Sequence, residues 1–282
     1  MSSVNKLDNQ SLMENPNHEN SIHKEVQELY NDFCNFTGLM KIHTFVDLLK
    51  ENLNISAEWN ILRFDENEIF YRARIITDKD IEDRVIGTSK LFKGFDKKNS
   101  FVPPENKCQA GRLNFEHNPF LYVANNIHTA ILEVRPQLRE PVSVAKILSK
   151  SKLQLLNLTE KYDTKNQNTY REALIELLST KLSLPHYKNV ENEYLPLEII
   201  ADVVRFMGYD GIAYRSAMDN DGINYCIFNY EDCTPILSDI YTPRKIEIRC
   251  QKNNYLQWIQ GKCMENGEKY CLNQLLTDHA GK

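Results

Sequence analysis

No stretch of this 282-residue chain approaches the roughly 18 consecutive apolar residues of a membrane-spanning helix. The amino-terminal stretch MSSVNKLDNQSLMENPNHENSIHK has no apolar core of the kind a secretory signal needs. The seven cysteines are odd in number and form no C-x-x-C pair, which argues against a zinc site and against a disulfide framework. A reduced, cytoplasmic setting is therefore expected. The histidines form no H-x-x-x-H or H-E-x-x-H pattern, so no metal site is expected. Also missing are G-x-x-x-x-G-K-[ST], G-x-G-x-x-G and G-x-S-x-G. Nucleoside triphosphate hydrolysis, Rossmann-type redox chemistry and serine-hydrolase chemistry thus lose their usual signatures. Nor is there an excess of basic charge. The net charge of −5 arises in residues 1–60, which carry 4 Lys against 9 Asp and Glu, while residues 61–282 hold 30 of each sign. Direct nucleic-acid binding is not expected from such a balance.

What is present fits an ordinary soluble protein, 41% hydrophobic and 26% charged. Residues 1–20, rich in Asn, Ser and charge, are expected to be a disordered leader. Residues 21–60 form a helical extension, with Val26, Leu29, Tyr30 and Phe33, then Phe45, Leu48 and Leu49, at helical spacing around Gly38. The body, 61–239, opens with the strand EIFYRARII, whose alternation puts Phe70, Arg72, Arg74 and Ile76 on one face. Residues 77–110 read mostly as loop. FLYVAN, PVSVAKIL, LQLLNL, IAYRS and YCIFN have strand composition, and TYREALIELLSTKL and LPLEIIADVVRFMG read as helices. Residues 240–282 form a carboxy-terminal extension, with an amphipathic piece around 255–259. Helices and strands mix without strict alternation, so the class is α+β.

Polar residues interrupt these apolar elements at a few places: Arg72 in FYRAR, Arg112 and Asn114 in GRLN, Glu133 in AILEV, and Ser216, followed by Asn224, after GYDG. Each has a bland reading. Strand arginines often pair with a surface acid at an edge, Gly-Arg-x-Asn is a common turn, and a strand serine is usually just small. Glu133 is the most conspicuous. Asn125 or Asn126 caps a helix running to Val134, so Glu133 faces the negative end of the dipole at a cost of roughly 0.3–1 kcal/mol. It lies on the flank of the stripe Ile127, Ala130, Ile131 and Val134, which suits either a solvated flank or a carboxylate reaching a cleft. Taken together, the islands have a chemical logic. Strand-held arginines suit a diphosphate. A carboxylate near a ribose stabilises an oxocarbenium-like state. Tyr122 offers a face to a heterocycle.

The ordered series FYRAR, GRLN…FLYVANN…TAILEV and YLPLEII…GYDGIAYRS…GINYCIFN resembles the RES domain, over about residues 68–229. That resemblance implies an ADP-ribosyltransferase-like fold, a split β-sheet core flanked by helices. It also implies NAD+ as a substrate rather than a bound cofactor. Carried over residue by residue, it makes Glu133 the catalytic carboxylate, acting with Arg72 and Ser216. Arg72, Arg112, Tyr122, Asn114 and Asn224 become the NAD+-binding set. Leu197-Glu198 departs from the Thr-Gln that members often carry after Tyr-x-Pro. The expected activity is cleavage of the nicotinamide–ribose bond by a bacterial toxin with a cognate antitoxin protein, as a glycohydrolase or phosphorylase. The alternatives are mono-ADP-ribosyl transfer to a protein and, in another class, a non-catalytic module binding a nucleotide or a partner. The sequence leaves oligomeric state open.

Overall fold

The computed structural model describes residues 16–36, 38–58, 60–80, 93–161, 169–183 and 194–245. Residues 1–15 of the expected leader, and the carboxy-terminal extension beyond 245 with its amphipathic piece, lie outside them. Two helices come first, α1 (Pro16–Cys34) and α2 (Leu39–Asn52). Helix α1 starts inside the expected leader, at a proline, a residue whose fixed φ and missing N–H suit a first helical turn. Gly38 separates the helices with φ 149°, a conformation that only glycine adopts readily. Val26, Tyr30 and Phe33 on one helix and Phe45 and Leu49 on the other are buried, and the Phe33 and Phe45 rings stack at 4.9 Å.

The body is α+β. Its strands are β1 (Ile61–Phe64), β2 (Ile69–Ile75), β3 (Leu121–Ala124), β4 (Val142–Ser149), β5 (Leu153–Leu158), β6 (Gly211–Arg215), β7 (Ile223–Ile227) and β8 (Cys233–Tyr241). They form a sheet in the order β1-β5-β6-β7-β3-β2-β4-β8. The pairs are antiparallel except β5 with β6. A parallel pair needs a long crossover, and helices α4 (Tyr170–Ser183) and α5 (Leu195–Phe206) lie within it. Helix α3 (Ile127–Glu133) follows β3 directly.

The ladder has one weak seam. β3 runs beside β7 along its whole length, and β2 beside β4, but β2 and β3 are in register only at Tyr71 and Ala124. The sheet is continuous but most weakly joined there. Helix α3 packs at the seam through the expected stripe: Ala130 is buried with Ala73, Ala124, Val142 and Val144, and Ile127, Ile131 and Val134 pack on them.

One core, from Val26 and Phe45 through Leu174, Ile200 and Ile212 to Phe228, joins the amino-terminal helices to the sheet. The hairpin therefore shares the body's hydrophobic interior. On the other face Phe70, Leu121, Val123, Ile147 and Ile227 pack under Phe101, Val102 and Tyr230. Helix α5 ends as its glycine suggests. The Gly208 N–H donates to Arg205 O and the Tyr209 N–H to Val204 O, around φ 94° at Gly208. Two strands escape the sequence pattern. β1 has only four residues, and β8 contains Pro235, tolerated because an edge strand pairs on one side and because the register with β4 shifts between Lys146 and Ile147. Among the described residues no helix is long and apolar enough to cross a membrane.

Candidate active site

A cavity of about 240 Å³ opens at the β2–β3 seam. Tyr71, Arg72 and Ala73 line it from β2, and Tyr122, Val123 and Ala124 from β3. Ala130, Glu133 and Val134 contribute from α3 and its end, and Tyr214 and Asn224 from β6 and β7. The register explains why these residues meet. Ala124, Asn224 and Tyr214 pair across three neighbouring strands, so their side chains emerge in one row on one face.

Glu133 stands at the end of α3. The Asn126 side chain caps the other end by accepting from the Thr129 N–H at 2.8 Å. Of the two readings open for Glu133, the structure takes the cleft. Its Oε1 accepts a hydrogen bond from the Ser216 hydroxyl at 2.6 Å and from Asn224 Nδ2 at 2.6 Å. Two neutral donors fix one oxygen, while the helix end supplies no positive charge. Ser216 is itself held. Its Oγ accepts from the Met218 N–H at 3.0 Å and from the Asp219 N–H at 3.1 Å. With both lone pairs used, the hydroxyl proton is left for Glu133. Ser216→Ala is expected to slow catalysis roughly 10- to 100-fold through misplacement of the carboxylate. A variant turning over at the wild-type rate would remove Ser216 from the machinery.

Arg72 borders the same cavity. It is half-buried, and its guanidinium donates to the Ser100 carbonyl at 3.1 Å. Among the described residues no carboxylate forms an ion pair with it. Burial, with the neighbouring Arg74, pulls its pKa down to about 10, so it remains charged at neutral pH. A half-buried cation with no counter-charge among the described residues is costly, and an anionic ligand would relieve it.

The GRLN turn lies behind this wall. The Tyr122 hydroxyl donates to Asn114 Oδ1 at 2.8 Å and accepts from the Leu113 N–H at 3.1 Å. Asn114 is buried and spends its amide on the Gln109 and Phe115 carbonyls, at 3.1 and 3.0 Å. It braces Tyr122 and does not itself line the cavity. Arg112 likewise does not line it. Its guanidinium donates to the Leu182 carbonyl in the last turn of α4, where a cation complements the helix dipole. Gly111 is there for space. A Cβ would stand 2.4 Å from Asn114 Oδ1 and 3.1 Å from the Tyr122 hydroxyl. Gly111→Ala should therefore cost about 1–3 kcal/mol by overpacking, seen as a lower unfolding temperature. Glu198, the departure from the family pattern, is buried on α5 with its pKa raised by burial and then by Asp202, and it does not line the cavity.

Two of the lining tyrosines had no sequence signal. Tyr71 and Tyr214 read as ordinary strand tyrosines, and only the seam and the register bring them to the cavity. Tyr214 is buried, which pushes its phenol well up, with the nearby Arg112 acting the other way. Among the described residues no cluster of three His, Cys, Asp or Glu is placed to hold a metal ion.

Comparison with known proteins gives three findings. The family model of the RES domain matches residues 84–243, more than half of the chain. That span contains Arg112, Tyr122, Glu133, Ser216 and Asn224, and Arg72 precedes it. No curated protein matches. Among solved structures, the crystal structure of the M. tuberculosis MbcT–MbcA toxin–antitoxin complex is similar at 14% identity and a TM-score of 0.40, covering 70% of this chain and 92% of that one. With the family match over residues 84–243, this chain belongs to the RES domain family.

Proposed function

We propose that this protein consumes NAD+ by breaking the bond between nicotinamide and ribose, as a glycohydrolase or phosphorylase. The observation that carries the reading is the juxtaposition of Glu133, held by Ser216 and Asn224, with Arg72, which has no carboxylate partner among the described residues, around one cavity. In this bond the leaving nicotinamide departs as a neutral base, because the bond electrons return to its positively charged ring nitrogen. The ribose is left electron-poor. A carboxylate beside it stabilises the developing oxocarbenium charge, and it is most effective where water is excluded.

Arg72 supplies the charge for the diphosphate, and the rings of Tyr71, Tyr122 and Tyr214 give apolar faces for the base. The cavity is smaller than the roughly 300–1,000 Å³ usual for small-molecule sites. It suits the nicotinamide-ribose end of the dinucleotide, with the remainder lying along the mouth. Toxicity and a cognate antitoxin protein belong to the same reading, as does transfer to a protein acceptor in place of water or phosphate.

The experiment is to incubate the full chain with NAD+, with and without inorganic phosphate and with a mixture of acceptor proteins, and to follow free nicotinamide. Release that needs phosphate identifies a phosphorylase, and release without it a glycohydrolase. Labelled ADP-ribose appearing on protein identifies transfer. NAD+ binding without release under any condition would leave the non-catalytic module as the better account.

A further inference from the structure

Helix α3 carries Glu133, but nothing in a seven-residue helix by itself fixes where its last side chain stands. The structure shows a second attachment one turn earlier. Thr129 lies four residues before Glu133, on the same side of α3, and is fully buried. Its hydroxyl donates to Asp219 Oδ2 at 2.6 Å, and the His128 ring nitrogen Nδ1 lies 3.4 Å from the same oxygen. Asp219 in turn presents its backbone N–H to Ser216 Oγ, the hydroxyl that holds Glu133.

The loop from Ser216 to Gly222 is closed on itself. The Gly222 N–H donates to Asp219 O, and the Ser216 N–H to Gly222 O. Gly222 has no room for a side chain: a Cβ would sit 2.6 Å from Thr129 Cγ2 and 2.7 Å from Thr129 Oγ1. Beyond the loop, the Ile223 N–H donates to Asn125 Oδ1 at 3.1 Å, and Asn125 adjoins the helix cap Asn126. The loop is thus stitched to α3 at the cap, at Thr129 and at Glu133.

We propose that Asp219 is a positioning residue, clasping α3 through Thr129 so that the Ser216 hydroxyl and the Glu133 carboxylate keep one mutual geometry. The proposal rests on the NAD+-cleaving reading for its activity readout, but not for its structural one. Burial pushes the Asp219 carboxyl up. The hydrogen bonds from Thr129, His128 and the Asp221 N–H more than offset this and hold it below the usual carboxylate range. Asp219 is therefore an anion at neutral pH and a full-strength acceptor. Neither Thr129 nor Asp219 lines the cavity, so their influence runs through Ser216 and Glu133.

The test uses the full chain carrying Thr129→Val, which keeps the shape and removes the donor, and Thr129→Ser, which restores a hydroxyl. Thr129→Val should lower kcat for nicotinamide release roughly 10- to 100-fold with KM nearly unchanged, and Thr129→Ser should recover most of it. In parallel, hydrogen exchange at the Met218 and Asp219 amides, both bonded to Ser216 Oγ, should quicken at least severalfold in Thr129→Val. Unchanged kcat in Thr129→Val, or a rise confined to KM, would overturn the positioning role. If the wild type releases no nicotinamide, the NAD+ reading fails by itself, and the exchange measurement still decides whether the clasp exists. Equal exchange in the wild type and in Thr129→Val shows that it does not.

Discussion

Glu133→Gln is expected to lower nicotinamide release from NAD+ by about 10²–10³-fold or more, the scale seen when one preorganised electrostatic group is removed from a transition state. The unfolding temperature should stay close to wild type. Glutamine keeps the volume, and its Oε1 still accepts from Ser216 and Asn224, which hold the Glu133 oxygen at 2.6 Å each. What is lost is the charge, and charge is what the oxocarbenium-like ribose requires. Glu133→Ala is a poorer test, because it leaves two polar side chains without their acceptor and confounds folding with chemistry. A Glu133→Gln protein with wild-type turnover would remove the carboxylate from the mechanism. One that fails to fold would show that the charge matters to the structure, and circular dichroism with thermal unfolding separates the two results.

The second large effect is expected at Arg72, and it divides function from stability. Arg72→Met should lower kcat/KM for NAD+ on the order of 10- to 100-fold, matching about 1.5–3 kcal/mol for a charged hydrogen bond to the diphosphate. The same substitution should leave the unfolding temperature unchanged or higher. It replaces a half-buried cation, bonded to the Ser100 carbonyl and without a carboxylate partner among the described residues, by an apolar chain of similar length. A gain in stability with a loss of activity is the signature of a group kept for its ligand. NAD+ at about 100 times its Kd should stabilise the wild type by about 2.7 kcal/mol, and this increment should shrink in Arg72→Met at equal ligand. An Arg72→Met protein that melts lower and turns over normally would make Arg72 a structural residue.

Much of this site is local, and the local part was legible. A cap at Asn125 or Asn126, of which the structure uses Asn126, the stripe Ile127, Ala130, Ile131 and Val134, and the position of Glu133 on its flank follow from 3.6-residue periodicity and from the side chains able to accept from free helix amides. The helix end at Gly208 is equally local, since it needs one residue with positive φ. The ordered series of motifs pointed to the RES domain, and the family match over 84–243 agrees.

Other features depend on partners far along the chain. Asn114 and Arg112 stand in the same turn as candidate ligands, yet one braces Tyr122 and the other reaches the end of α4. No spacing rule distinguishes a side chain turned toward a cavity from one turned toward a carbonyl 70 residues away. β1 and β8 lack an alternating pattern because each is an edge, paired on one side only, and neighbours rather than composition make them strands.

The sequence by itself determined the α+β class, the helix carrying Glu133 and the polar residues that interrupt the apolar elements, because each depends on contacts within a few residues. Only the tertiary structure decided that the ladder opens between β2 and β3, that Ser216 and Asn224 converge on one oxygen of Glu133, and that Asp219 reaches back to Thr129. These contacts join residues some 80 to 90 positions apart, and strand register, which one sequence does not print, sets which of them meet.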